Sequence, residues 1–141
     1  MPPIPHLRAL CLVPVLAMLM ACGQEAAAPA QPTEASSLRI VAIQPDPEAL
    51  LQVGQTLDFS VEVEYTLGTE VGFMGLQVQD ADGQVVFDRA YGAQGGTHTI
   101  TLEGSLVVPR TAALHVIVPL SERGRRQTQV LDMRMFEVEP D

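Results

Sequence analysis

The feature that most constrains this chain is the alternation in TLDFSVEVEYTL, Thr56 to Leu67. Leu57, Phe59, Val61, Val63, Tyr65 and Leu67 fall on one side of an extended backbone, and Asp58, Ser60, Glu62, Glu64 and Thr66 on the other. A period of two is that of a strand, where successive side chains point to opposite faces; on a helix the same residues would smear around the axis. A strand that is apolar on one face and charged on the other belongs to a sheet with one side packed and one side wet.

Shorter runs repeat the pattern. LRIVAI (Leu38 to Ile43), MGLQVQ (Met74 to Gln79), QVVFD (Gln84 to Asp88), THTITLEG (Thr97 to Gly104) and LHVIV (Leu114 to Val118) all read as strands. In TQVLDMRMFEVE, Thr128 to Glu139, Leu131, Met133 and Met135 alternate before Phe136 and Val138 change phase. This predicts a bulge at the phase change and places both methionines in the core. Turn signals separate the runs: QPDPE near Asp46, DADG at Asp80 to Gly83, GAQGG at Gly92 to Gly96, VPR at Val108 to Arg110, and SERGRR at Ser121 to Arg126. Seven half-wet strands at this spacing, without a convincing amphipathic helix, predict an all-β antiparallel two-sheet sandwich over 38–141.

What precedes that domain differs in kind. MPPIPHLR carries Arg8 and the amino terminus, and Ala9 to Met20 forms an apolar run that ends at Ala21-Cys22. The run has the length of a secretory signal and is too short to span a bilayer. Residues 1–21 are therefore expected to be a signal peptide. From Gly23 to Ser37 the chain reads GQEAAAPAQPTEASS, with no large apolar side chain to offset its ordering entropy. Residues 22–37 are read as a flexible tether kept fairly extended by Pro29 and Pro32. Loss of the leader removes Cys11 and leaves Cys22 as the single cysteine, so no internal disulfide can form.

Leu19-Met20-Ala21-Cys22 resembles the lipobox of bacterial lipoproteins. The resemblance implies that Cys22 becomes the mature N-terminus and is acylated, anchoring the domain in a membrane through its acyl chains. Gly23 is not the Asp that in that family favours retention at the inner membrane, so the outer membrane is implied, with the domain facing the periplasm. The segments VGQTLDFSVEVEYTLG and DADGQVV resemble bacterial immunoglobulin-like or fibronectin-type domains, which implies an immunoglobulin-like sandwich of about seven strands.

Composition narrows function. Seventeen acidic residues against 8 basic ones give a formal net charge of −9, and every basic residue is Arg. Such a chain lacks the positive field needed to bind nucleic acid, or to bind an anionic membrane surface by electrostatics alone. His98 is read as a core-edge histidine and His115 as a solvated one, too few ligands for a metal centre once Cys22 carries lipid. DADG with Asp88 lacks the ordered ligand series of a calcium loop, and the Asp58, Glu62, Glu64 stripe reads as a solvated face. Met74, Met133 and Met135 could form a soft copper(I) set, but alternation makes the last two core residues. No GxSxG elbow occurs among the few serines. A sugar-binding platform would need exposed aromatics; the chain has no Trp, Phe59, Tyr65, Phe73, Phe87 and Phe136 are expected inside, and only Tyr91 falls in a predicted loop.

The remaining cluster is Arg123, Arg125 and Arg126, grouped in an otherwise acidic chain. Guanidinium forks pair bidentately with carboxylates or phosphates, so this turn is either a docking point for an acidic protein, glycan or lipid headgroup, or a solvated hairpin turn. The expectation is a non-catalytic, membrane-anchored envelope lipoprotein that binds or gives structural support, without cofactor or small-molecule substrate. The alternative is an envelope assembly factor or inhibitor that binds another exported protein, for instance by edge-strand pairing.

Overall fold

A computed structural model describes residues 35–140. The expected signal peptide, Cys22 and most of the expected tether lie outside these residues. Within them the chain is all-β, with six strands and no helix: β1 (Ser37–Gln44), β2 (Leu51–Gln52), β3 (Thr56–Asp80), β4 (Val85–Val107), β5 (Ala113–Glu122) and β6 (Val130–Glu139). They join in the order β1-β3-β5-β6-β2, with β4 on the other side of β3.

The organising unit is the long β3–β4 hairpin. It is antiparallel from Thr56↔Val107 to Gln79↔Val85, with a register break between Leu67 and Val71. On the remaining edge of β3, β1 pairs with the part before the break (Ser37↔Thr66 to Gln44↔Ser60) and β5 with the part after it (Gly72↔Glu122 to Asp80↔Leu114). β6 pairs with β5, and β2 runs parallel to the far end of β6 at Leu51↔Val138.

Thr56 to Leu67 carries the expected pattern. Leu57, Phe59, Val61, Val63, Tyr65 and Leu67 are all buried, while Asp58 and Glu62 are exposed. At the break the buried parity switches from odd to even, and Met74, Leu76 and Val78 then meet Leu114, Val116, Val118 and Leu120 of β5 in one core cluster. Each side chain of this size contributes about 1.5–3 kcal/mol when fully removed from water. No polar or charged side chain is buried among the described residues.

Several expectations change. Thr56–Leu67 and Met74–Gln79 are parts of one strand, as are Gln84–Asp88 and Thr97–Gly104, because the chain stays extended across the intervening glycines although pairing is interrupted between Leu67 and Val71. GAQGG is therefore strand and not a turn, and Gly95 shows why its composition fits: a Cβ there would stand 2.5 Å from the Thr69 carbonyl oxygen. Tyr91 lies in β4 rather than a loop, its hydroxyl donating to the Glu103 carbonyl at 3.3 Å. Phe73 faces outward, 59% exposed, because Gly72 and Met74 occupy the inward parity.

The largest correction concerns β6. Leu131, Met133 and Met135 are 58%, 47% and 50% exposed, and the β5–β6 register runs unbroken from Ala113↔Glu137 to Leu120↔Val130, without the predicted bulge. The inward parity is Val130, Asp132, Arg134, Phe136 and Val138. Two charged residues can face inward because β1 breaks register between Ile40 and Ala42, and Ile40 there turns its backbone groups toward β6. Asp132 Oδ2 accepts the Ile40 N–H at 2.8 Å, and Arg134 Nη2 donates to the Ile40 carbonyl at 2.7 Å. Side chains of β6 thus stand where a neighbouring strand would be, covering an edge that would otherwise offer open hydrogen-bonding groups.

Candidate functional site

The arginine cluster lies in the β5–β6 turn. Gly124 adopts φ +83°, a conformation that L side chains rarely take, and the turn closes by Arg125 N–H to the Glu122 carbonyl at 3.2 Å and Gln129 N–H to the Leu120 carbonyl at 2.9 Å. Arg123, Arg125 and Arg126 are all exposed. Arg125 Nε reaches Glu122 Oε2 at 3.2 Å, and no salt bridge to Arg123 or Arg126 forms among the described residues. Gly124, Arg125, Arg126, Gln127 and Gln129 line a shallow depression of about 420 Å³.

The turn is tied to two distant parts of the chain. Arg123 N–H donates to the Val71 carbonyl at 3.2 Å, just past the break in β3. Glu122 Oε1 accepts the Ser36 hydroxyl at 2.7 Å, and Ser36 Oγ in turn accepts the Gly68 N–H at 3.1 Å. Ser36, the β3 break and the arginine turn are therefore brought together at one structural end. Their association is the part of the site that sequence could not show, since it depends on pairings far apart in the chain.

A second surface was missed because its residues were placed in the core. On the outer parity of β3, β5 and β6, Phe73 sits beside Ser121, Pro119 beside Leu131, and Ile117 beside Met133, with His115 opposite Met135. Phe73, Leu131, Met133 and Met135 form the exposed part of this apolar stripe. Contiguous exposed apolar surface is unusual on a chain that meets only water. The available signal was the even-numbered parity of β6, in which Val130, Phe136 and Val138 already outline a buried face.

A groove of about 490 Å³ is lined by Asp58, Ser60, Arg89, Glu103 and Ser105 among others. Arg89 donates to the Glu103 carbonyl at 3.2 Å and lies 5.6 Å from the Phe87 ring centroid, which holds it against the wall of this groove. His98 Nε2 is 2.9 Å from the Gly95 carbonyl oxygen and its ring lies 5.4 Å from that of Tyr65. His115 is half-buried on the outer parity of β5. No group of three or more His, Cys, Asp or Glu side chains that could hold a metal gathers among the described residues. In the DADG turn, Asp80 Oδ1 accepts the N–H groups of Asp82 and Gln84 at 2.9 and 2.8 Å, so this carboxylate closes a hairpin.

The pKa of Asp132 is displaced downward. Burial opposes its ionisation, but the N–H groups of Ile40 and Met133 and the Arg134 guanidinium outweigh that cost and hold it below the ordinary value. Arg134 Nη1 lies 2.9 Å from Asp132 Oδ1. This pair fastens β6 to β1.

No protein-family model matches the chain, and no curated protein matches it.

Proposed function

We propose that this chain is a non-catalytic lipoprotein of the bacterial cell envelope, acylated at Cys22 and presenting an immunoglobulin-like domain to the periplasm, with the outer membrane as its site. The leader, its terminal LMAC and the polar tether support the anchor. In this reading the β3 break divides the hairpin between two facing sheets. β1 with the first part of β3 and the last part of β4 makes one; the first part of β4, the last part of β3, β5 and β6 make the other. Counted this way the main strands number about seven. The bond from Ile40 to Asp132 supports that arrangement, because it joins β1 to β6 with no ladder between them.

The observation that carries a binding role is the apolar outer stripe of Leu131, Met133 and Met135 beside Ile117 and Pro119. Methionine side chains adapt to varied surfaces and are enriched in protein interfaces, so the partner assigned here is another exported protein. The assembly-factor reading is favoured by a different feature: from Val85 to Gln94, β4 pairs with β3 alone, so its other edge is open to an added strand among the described residues.

Two measurements test the proposal. The mass of the mature protein should show Cys22 as an acylated N-terminus, and Cys22→Ala should leave an uncleaved precursor. An unacylated protein cleaved elsewhere would defeat the anchor. A photo-crosslinker at Met133 should give one discrete adduct in living cells, and one at Glu62 should not. Equal adducts at both positions would remove the outer stripe as the binding face.

A further inference from the structure

The tether enters the domain beside the arginine turn. Ser36 is held between Gly68 and Glu122, and Glu122 also holds Arg125. Ser36 follows Cys22 by 14 positions, and a Pro-bearing stretch of that length reaches about 43 Å when extended. A bilayer holding acyl chains on Cys22 thus stays within that reach of this end of the domain.

Charge divides along the same axis. At the tether end stand Arg123, Arg125 and Arg126, with Glu70 as an exposed acid nearby. Where β1, β3 and β6 end, at the opposite pole, Asp46, Glu48, Asp80, Asp82, Glu137 and Glu139 outnumber the single cation described there, Arg110, which lies beside Ala112 and Pro140. An anionic surface attracts the first pole and repels the second. Two exposed apolar side chains, Val71 and Phe73, adjoin the turn, Val71 through its carbonyl bond to Arg123 and Phe73 as the cross-strand neighbour of Ser121. Guanidinium groups that pair with phosphate, next to apolar side chains that enter the headgroup layer, are the two elements of an interfacial membrane contact.

We propose that the 123–128 turn, with Val71 and Phe73, docks on the anionic phospholipid surface of the membrane that holds the anchor. The proposal rests on acylation of Cys22. Each exposed arginine–phosphate contact is weak, but the tether makes docking intramolecular, so a weak contact is populated. Docking sets the domain upright, with its acidic pole directed away from the bilayer and the Met133–Met135 stripe left open at the side.

The test uses the mature acylated protein reconstituted in vesicles, with spin labels on Thr128→Cys or Asp82→Cys. Acylated Cys22 does not react with the label. In phosphatidylethanolamine vesicles containing about one-fifth phosphatidylglycerol, collision with lipid-soluble oxygen relative to an aqueous nickel chelate should be several-fold higher at position 128 than at 82. Salt at about 0.5 M, or Gln at positions 123, 125 and 126 together, should erase the difference. Equal aqueous exposure of both labels on a protein of confirmed acylated mass overturns the docking and leaves the anchor standing. A difference that persists in pure phosphatidylcholine and in salt overturns the role of anionic headgroups. Immobilisation of the 128 label only when envelope protein is added assigns the turn to a protein instead. A mature protein without acyl chains overturns anchor and docking together, and its mass alone reveals that case.

Discussion

Asp132 accepts the backbone N–H of Ile40 at 2.8 Å across a separation of 92 residues, and this bond with its Arg134 counterpart joins the first strand to the last. A carboxylate that accepts two backbone donors and a guanidinium is stabilised as the anion.

Asp132→Asn should therefore cost about 1–2 kcal/mol at neutral pH, as expected for a charge-assisted bond at a partly exposed site. The pH dependence has a definite sign. The folded-state pKa is lowered, so the contribution is complete above the unfolded value of about 3.9 and is lost as pH falls through the folded value. Urea melts of both proteins at neutral and acid pH measure it: the gap between them should close below about pH 4. A constant gap would mean that Asp132 acts through shape and not charge.

Gly104 faces Phe59 across the β3–β4 ladder, and a Cβ built there would run into the Phe59 ring and come within 2.8 Å of Phe87. Phe59 and Phe87 meet edge to face with centroids 5.3 Å apart. Gly104→Ala should destabilise by about 1–3 kcal/mol by driving the two rings apart. Adding Phe87→Leu should recover part of the loss in thermal melts, because the smaller side chain yields room. If the double variant loses the full sum of the two changes, the rings are not the obstacle.

Val61 is fully buried and Glu62, its neighbour in the chain, faces water. Val61→Asp should lose about 3 kcal/mol or more through an unpaired buried charge. Glu62→Gln should change stability by no more than about 0.5 kcal/mol. Chemical denaturation of both variants checks the alternation residue by residue, and similar midpoints would reverse the assigned face.

Thr56 to Leu67 was legible because its two parities differ wholly in chemistry, one apolar and one polar. β6 was not, because both of its parities carry large apolar residues: Leu131, Met133 and Met135 on one, Val130, Phe136 and Val138 on the other. The charged pair on the second parity made the first look like the core, and only the bulged backbone at Ile40 explains why that pair faces inward. The arginine turn was legible as a turn, since Gly124 and its charged neighbours interrupt two strands. Its nearness to Ser36 and Val71 was not, because strand order is a long-range property that local periodicity does not encode.

The same ambiguity yields the sharpest test of β6. With Phe136 fully buried and Met133 half exposed, Phe136→Ala should cost about 3–5 kcal/mol, whereas Met133→Gln and Met135→Gln together should cost no more than about 1 kcal/mol. The reverse ordering would follow if the methionines filled the core. Stability and binding also separate here, because the double Gln variant keeps the fold and removes apolar surface from the outer stripe. Its melting curve should match that of the unchanged protein while the crosslinked adduct at a neighbouring outer position, Ile117, is lost. A normal adduct on a normally folded double variant would show that the stripe does not hold the partner and would turn attention to the open edge of β4 between Val85 and Gln94.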